Sequence, residues 1–263
     1  MTLETLQTNC RTLRLPTAAA VVAETLDTAQ RENWSLETFL AHLLEQELEG
    51  RRHRRIKRLL TAAHLPVDKT LDTFRQQRLP LRVRRQLSQL TDGAFISRGD
   101  NLLLFGLPGT GKTHLAAALG YAWIQRNYTV LFTPTYKLVG ALLRAKRDYE
   151  LERELRRLDR FQVVILDDLG YVQQSREEME VLFTFLAERY ERRTVVITSN
   201  LVFSEWNQIF KDPLTTAAAI DRVVHHSFII EFGKDVTSVR AEEAARRNGI
   251  VLGAASPAQS PED

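Results

Sequence analysis

The N-terminal part of the chain carries apolar residues at the three- and four-residue spacing of amphipathic helices. Residues 17–30 show it first, and Pro16 stands where the first turn of a helix tolerates proline. Ser35 can cap a second helix that runs as far as Leu60. Its apolar stripe consists of Leu36, Phe39, Leu40, Leu43, Leu44 and Leu48. We interpret residues 1–68 as a small helical domain.

Beyond residue 68 the pattern changes to short apolar runs that alternate with helical stretches. One short helix is predicted from Val83 to Leu90. Five runs have the character of buried strands: Leu102–Phe105, Thr129–Phe132, Val163–Leu166, Thr194–Ile197 and Phe228–Phe232. Strands alternating with helices predict an α/β domain with a parallel sheet over residues 69–252. Ser175 and Glu178 form a capping box, and residues 253–263 are expected to be a disordered tail.

The composition is that of an ordinary globular chain, with 26% charged and 44% hydrophobic residues. No apolar run approaches the roughly 18 residues of a membrane span, and the first residues lack the features of a signal peptide. Cys10 is the single cysteine, so no intrachain disulfide can form, which fits a reducing cytoplasm. One Cys and six scattered His argue against a structural zinc site.

Residues 106–113 read Gly-Leu-Pro-Gly-Thr-Gly-Lys-Thr, which is the spacing of a P-loop. A predicted strand precedes this run and a helical stretch follows it. Backbone N–H groups of such a loop converge on phosphates, and the following helix adds its positive end. Lys112 can reach the outer phosphates, and Thr113 can hold Mg²⁺. The predicted nucleotide-binding residues are Gly106, Leu107, Pro108, Gly109, Thr110, Gly111, Lys112, Thr113 and His114.

Two further apolar strands end in polar residues. Residues 163–168 read Val-Val-Ile-Leu-Asp-Asp, the pattern of a Walker B segment. We assign Mg²⁺ binding to Asp167 and polarisation of the attacking water to Asp168, unless both lie in a surface turn. The strand that ends before Asn200 terminates at the same edge of a parallel sheet. Asn200 can therefore contact the γ-phosphate or the lytic water, or it only starts a turn.

Asp221 and Arg222 precede the last predicted strand. A guanidinium at this position can project into a neighbouring subunit's nucleotide site, where charge develops on phosphate oxygens during transfer. Arg222 can equally pair with Asp221. Its position alone does not decide between these two roles.

Charge is distributed unevenly along the chain. Residues 1–50 contain three Arg and eight acids, whereas residues 51–98 contain thirteen Lys or Arg and three Asp. Residues 137–160 add eight basic residues and five acids. Such blocks fit a nucleic-acid backbone, or they form solvated helix faces with exposed ion pairs. The candidate DNA contacts are Arg51, Arg54, Arg55, Arg58, Lys137, Arg144, Lys146 and Arg147.

Several segments together resemble AAA+ ATPases of the helicase-loader clade and, most closely, the IstB-like ATP-binding proteins of bacterial insertion sequences. The resemblance extends from about Lys69 to Arg240. Beyond the P-loop it rests on short runs at family spacing. They are Lys69-Thr-Leu-Asp-Thr-Phe74, Leu166-Asp-Asp-Leu-Gly-Tyr171, Arg189-Tyr-Glu-Arg-Arg193, Thr198-Ser-Asn200, Phe203-Ser-Glu-Trp206 and Asp221-Arg-Val-Val-His-His226.

The resemblance implies an AAA+ parallel sheet in the order 5-1-4-3-2, preceded by a helical domain. It implies an ATP-hydrolysing protein that assembles as a ring or spiral on duplex DNA and delivers target DNA to a partner transposase in the bacterial cytoplasm. By matched motif, Thr113 and Asp167 would hold Mg²⁺, Asn200 would be the sensor, and Arg222 would be an arginine finger acting in trans. The predicted catalytic residues are therefore Lys112, Asp167, Asp168, Asn200 and Arg222.

Two positions depart from the family pattern, and two other functions stay open. Asp168 stands where many relatives carry Glu, and Arg240 follows Thr-Ser-Val where the family usually shows Ser-Tyr-Arg. One alternative is a replicative helicase loader that acts on single-stranded DNA. The other is a nucleotide-gated DNA-binding module with incidental hydrolysis. Because no base-reading motif is visible in the sequence, DNA binding should be largely independent of sequence.

Overall fold

The computed structural model describes residues 2–79, 81–170, 175–201 and 223–232, without the side chains of Arg78 and Arg82. The chain divides into two compact units, residues 1–61 and 62–263. Across the described ranges, no helix is both long enough and apolar enough to cross a membrane.

The first unit consists of helices α1 (Leu3–Thr12), α2 (Pro16–Arg31) and α3 (Leu36–Ala63). The last of these ends two residues beyond the unit boundary. Helices α2 and α3 begin as predicted, and the Ser35 hydroxyl accepts the N–H of Thr38 at 3.1 Å. The sequence reasoning missed α1, a short helix capped by Thr2. The buried core of the unit consists of Cys10, Ala18, Ala19, Val22 and Leu43.

Only part of the predicted apolar stripe of α3 is buried. Leu43 is buried in the core of the unit, and the partly buried Phe39 packs against this core. The remaining leucines of the stripe are exposed: Leu36, Leu40, Leu44 and Leu48. The predicted stripe is thus wider than the face that a unit of three helices covers.

Glu47 of α3 is a buried carboxylate that caps the neighbouring helix. Only 2% of the residue is exposed, and it accepts the N–H groups of Thr17 at 2.8 Å and Ala18 at 3.1 Å. Arg51 and Arg54 donate to its second oxygen at 2.9 and 3.1 Å. Burial by itself raises the pKa of Glu47, but the hydrogen bonds from Arg51 and the backbone outweigh it and lower the pKa. The carboxylate therefore satisfies the first N–H groups of α2.

The second unit contains a parallel sheet with helices on it. Its strands are β1 (Asn101–Phe105), β2 (Val130–Pro134), β3 (Val163–Leu169), β4 (Thr194–Ser199) and β5 (Ser227–Glu231). Its helices are α4 (Leu81–Asp92), α5 (Lys112–Gln125), α6 (Thr135–Arg147), α7 (Leu151–Asp159) and α8 (Arg176–Arg189). The strand order β2-β3-β4-β1-β5 confirms the predicted order 5-1-4-3-2 and the α/β class. The capping box of Ser175 and Glu178 is also confirmed.

The central strands are buried because helices cover the sheet. All five residues of β1 and all six of β4 are buried, as expected for the central strands of a parallel sheet. The indole N–H of Trp123 donates to the Leu90 carbonyl at 2.8 Å and thereby ties α5 to the end of α4. Because these strands are parallel, the carboxyl ends of β1, β3 and β4 meet at one edge of the sheet.

Arg189 is a buried cation at the end of α8, with 2% of its surface exposed. Its guanidinium donates to four backbone carbonyls, those of Leu158, Phe161, Gln162 and Thr194, at 2.9 to 3.2 Å. Burial lowers the pKa of Arg189 to about 9, so the side chain is still charged at neutral pH. This arginine holds the end of α7 and the starts of β3 and β4 together.

Candidate nucleotide site

The P-loop lies between β1 and α5, as the sequence predicts. Gly106 has φ 148° and Gly111 has φ 105°, a region that favours glycine. A Cβ on Gly106 would lie 2.8 Å from the Cβ of Phe232, so the loop has no space for a side chain there. Gly111 is the residue that precedes the first turn of α5. The loop therefore leads directly into a helix N-terminus, the arrangement that binds phosphate.

The Lys112 ammonium lies inside this loop. Only 4% of Lys112 is exposed, and its Nζ donates to the carbonyls of Gly106 at 2.7 Å and Leu107 at 2.9 Å. The fully buried Thr110 donates to the same Leu107 carbonyl at 2.9 Å. The cation is thus held where the phosphates of a P-loop nucleotide bind.

Asp167 at the end of β3 faces the start of α5. It is 9% exposed, and its Oδ1 accepts the hydroxyl of Thr198 at 2.7 Å. Burial raises the pKa of Asp167, and hydrogen bonds from Thr198 and Thr113 lower it only in part. Thr113 and Asp167 therefore bring a hydroxyl and a buried carboxylate together. This set of oxygen donors fits Mg²⁺, whose charge would offset the burial of the carboxylate.

Asp168 leaves the strand geometry. Its φ is 58°, and the pairing of β3 with β4 shifts register between Leu166 and Leu169. Its N–H donates to the Thr198 hydroxyl at 3.0 Å, while its side chain is exposed. A bulge of this kind re-aims a side chain at the edge of a sheet. The two neighbouring carboxylates consequently have different environments, one buried and one open to solvent.

Thr198 was not singled out as a functional residue by the sequence reasoning. It is fully buried on β4 and serves both acids, as donor to the Asp167 carboxylate and as acceptor for the Asp168 N–H. Its signal in the sequence is the polar end of an otherwise apolar strand. That signal was attributed to Asn200 alone.

Asn200 follows β4 at the edge of the sheet where the P-loop begins. Ser199, the last residue of β4, pairs with Phe105 of β1 on one side and with Leu169 of β3 on the other. Asn200 therefore leaves the sheet between the strand that precedes the P-loop and the strand that carries Asp167. Its predicted role at the γ-phosphate stays a prediction. The predicted finger Arg222 lies outside the described residues, and so does Arg240, whose motif departs from the family pattern.

The segment before the P-loop packs against the start of α5. The His114 Nε2 lies 3.1 Å from the Thr70 carbonyl and 3.1 Å from the Thr73 hydroxyl. The Phe74 ring packs edge-on against the His114 ring, with centroids 5.2 Å apart. Burial lowers the pKa of His114, and the Lys69 ammonium lowers it further. His114 therefore anchors this segment beside the phosphate loop.

The candidate DNA contacts on α3 differ in their surroundings. Arg51 and Arg54 are held by the buried Glu47, and each also donates to a second group of the unit, Arg51 to the Arg14 carbonyl and Arg54 to the Thr17 hydroxyl. Arg55 and Arg58 are exposed, and no ion pair is formed by them within the described residues.

The candidates on α6 divide in the same way. Lys146 pairs with Glu180 at 2.8 Å, and Arg147 lies 3.7 Å from Glu177, both on α8. Lys137 and Arg144 are exposed and have no acidic partner within 4 Å in the described part of the chain. On α7, the cations pair with acids of the same helix or of the residue before it.

The fold and the site together define a P-loop nucleotide-binding domain of the AAA+ class. The chain belongs to the family of IstB-like ATP binding proteins, whose model matches residues 8–245. The resemblance inferred from the sequence is therefore confirmed.

Two relatives illustrate the family. The chain is 44% identical over 237 residues to an insertion sequence ATP-binding protein of Sinorhizobium fredii, covering 90% of this chain and 80% of the relative. It is 36% identical over 236 residues to the insertion sequence IS21 ATP-binding protein of Pseudomonas aeruginosa, covering 90% and 88%.

Two solved structures share the fold. The DnaC helicase loader is 20% identical, with a TM-score of 0.52 over 64% of this chain and 98% of that one. DnaI is 20% identical, with a TM-score of 0.54 over 65% and 96%. At this identity the similarity concerns the fold alone.

Proposed function

We propose that this protein is an ATPase that assembles on duplex DNA when ATP is bound and delivers target DNA to a partner transposase. The observation that carries the proposal is the meeting of Lys112, Thr113 and the buried Asp167 at the end of the sheet. Family membership supports ATP as the nucleotide. The relatives' association with insertion sequences supports a role in transposition.

In the proposed reaction, backbone N–H groups of residues 106–111 and the Lys112 ammonium bind the phosphates. Mg²⁺ held by Thr113 and Asp167 would neutralise charge on the phosphate oxygens. The exposed Asp168 accepts a hydrogen bond from the attacking water and orients it in line with the leaving group. Asn200 donates to the γ-phosphate or to the same water. Each of these residues acts on charge that develops during transfer.

The proposal places Arg222 in the nucleotide site of a neighbouring subunit. A trans finger is tested by mixing two inactive variants, Arg222→Ala and Lys112→Ala. Some hydrolysis should return in the mixture, because one kind of mixed interface combines an intact P-loop with an intact finger. An absence of rescue at every ratio would contradict assembly through this arginine.

The proposed DNA contact is electrostatic and largely independent of sequence. It is supported by exposed cations on α3 and α6, namely Arg55, Arg58, Lys137 and Arg144. Affinity for random duplexes should fall steeply with salt because bound cations are released from DNA. A flat salt dependence would refute the proposal. Stronger binding to single strands than to duplexes would instead favour a helicase loader.

Asp168→Asn separates turnover from nucleotide-gated binding. We expect this variant to bind ATP and to assemble on DNA, because the P-loop, Thr113 and Asp167 are intact, but not to support transposition in cells. Full transposition without hydrolysis would show that turnover is incidental. Electron microscopy of the protein on DNA, with and without a non-hydrolysable ATP analogue, then distinguishes a ring from a spiral.

A further inference from the structure

A second group of metal-ligand side chains lies at the opposite edge of the sheet. Glu191 follows α8, while His225 and His226 precede β5, and one ligand atom from each lies within 4.8 Å of the others. The start of β5 pairs with Asn101, the first residue of β1. The P-loop follows the far end of β1, which at about 3.3 Å per residue is roughly 15 Å away. The cluster is therefore separate from the nucleotide site.

Its spacing suits one shared ion. The His226 Nε2 lies 3.2 Å from the Glu191 Oε1. Two ligands bound to tetrahedral zinc at about 2.1 Å lie about 3.4 Å apart, so this separation requires almost no adjustment. A ring nitrogen of the exposed His225 lies within 4.8 Å of both of these ligand atoms.

The orientation of His225 is fixed by a neighbouring side chain. The Tyr190 hydroxyl lies 3.0 Å from the His225 Nδ1. When Nδ1 carries the proton and donates to this hydroxyl, Nε2 keeps its lone pair for a metal. A hydrogen bond to the second ring nitrogen is the usual support of a metal-binding histidine.

The backbone that carries these ligands is held in place by Asn101. Its N–H donates to the His226 carbonyl at 2.7 Å and its amide to the Val223 carbonyl at 3.1 Å. Its side-chain oxygen accepts the Val195 N–H at 2.9 Å, close to the turn of Glu191. A Cβ on Gly99 would lie 2.9 Å from the carbonyl carbon of Glu191, so this turn also packs closely. Both ligand segments are thus positioned before any ion binds.

We propose that Glu191, His225 and His226 form a zinc site, with solvent in the fourth position. Two imidazoles and one carboxylate suit Zn²⁺, whereas Mg²⁺ prefers oxygen ligands alone. The ion would join the turn after α8 to the segment before β5. The scattered histidines of the sequence did not predict a zinc site. The fold, however, brings the adjacent His225 and His226 next to Glu191, which is distant in the sequence.

The test is calorimetric titration of Zn²⁺ into the full chain near neutral pH, without ATP. We expect one ion per chain at micromolar affinity. His226→Ala, His225→Ala and Glu191→Gln should each weaken binding by about 10-fold or more, since one of three protein ligands is lost. Titration with Co²⁺ should give the visible absorption of a tetrahedral site, and the band should disappear in His226→Ala.

His53→Ala is the matched control. His53 also lies 3.2 Å from a glutamate, Glu49, but this pair has no third ligand among the described residues. Zinc affinity should be unchanged in this variant, and thermal unfolding without metal should show that all variants fold. The proposal is overturned if the wild type binds no zinc, if binding survives His226→Ala, or if His53→Ala weakens it equally. In those cases Glu191 and His226 are an ordinary ion pair.

Discussion

The nucleotide site and the basic faces of α3 and α6 show two ways in which charged residues are placed. At the nucleotide site, Lys112 and Asp167 are buried and bonded to fixed partners. On the basic helices, half of the candidate cations pair with acids of the same unit, and the others form no ion pair within the described residues. A sequence motif that fixes the backbone geometry therefore identifies which charged residues form the site. A count of charges along a helix does not identify which of its cations are available to bind DNA.

The largest effect is expected from Lys112→Ala. This change removes the ammonium from the centre of the P-loop, and ATP hydrolysis should fall by about 10²- to 10³-fold, as for other preorganised charge-stabilising donors. The measurement is steady-state phosphate release with excess Mg²⁺.

Lys137→Ala is the control for Lys112→Ala, since it removes the same charge from an exposed position. Its hydrolysis without DNA should equal that of the wild type. Hydrolysis at the wild-type rate in Lys112→Ala would mean that burial in the loop does not mark the functional cation.

The next effect concerns stability. Arg189→Met removes the donor for four backbone carbonyls, so the free energy of unfolding should fall by about 3 kcal/mol, as when a buried charged partner is lost. Arg192→Met is matched, because the ion pairs of Arg192 and its hydrogen bond to the Glu188 carbonyl lie at the surface, and it should cost less than about 1 kcal/mol. Urea unfolding followed by circular dichroism measures both. Equal stability of the two variants would show that burial of Arg189 contributes nothing net.

Arg189 also shows where prediction from the sequence ends. The positions of the strands and of the P-loop followed from apolar runs and from one spacing, because both depend on local backbone geometry. The order of the strands in the sheet came instead from the family resemblance. Arg189 was visible only as part of a family run, Arg189-Tyr-Glu-Arg-Arg193. Nothing in its neighbours distinguishes a buried arginine from the exposed Arg192. The carbonyls that it binds come from three other elements, so its role depends on tertiary packing.

A smaller effect is expected for Thr198→Val, which keeps the shape of the side chain. The change removes a donor to Asp167 at 2.7 Å and an acceptor for the Asp168 N–H at 3.0 Å. We expect kcat to fall by about 10-fold with little change in KM for ATP, because the carboxylates lose orientation more than the phosphates lose contacts. Thr198→Ser should restore most of kcat, since it restores the hydroxyl.

Thr194→Val is the control on the same strand. Thr194 is equally buried, but its hydroxyl donates to the Asp100 carbonyl at the other end of β4. It should lower stability without changing kcat. If Thr198→Val and Thr194→Val lower kcat equally, Thr198 contributes only to packing and does not position the carboxylates. Thr198 was missed because a threonine inside an apolar strand fits β propensity as well as it fits a function.

The smallest effect is expected in the salt dependence of DNA binding, when two pairs of cations on α6 are removed separately. Lys137→Ala with Arg144→Ala removes two exposed charges, whereas Lys146→Ala with Arg147→Ala removes two that face Glu180 and Glu177. Both double variants change the net charge equally. The slope of log affinity for DNA against log salt is negative, and its magnitude should decrease by about 2 in the first variant, since each phosphate contact contributes about 0.9.

In the second double variant the magnitude of the slope should decrease by less than about 1, because those cations must first leave their acidic partners to reach a phosphate. Fluorescence anisotropy with a random duplex over a range of salt concentrations gives both slopes. If the two pairs lower the slope equally, net charge alone describes this surface and local ion pairing does not select the DNA contacts. If only the exposed pair matters, ion pairing decides which members of a basic block bind DNA, and this information is absent from the count of charges in the sequence.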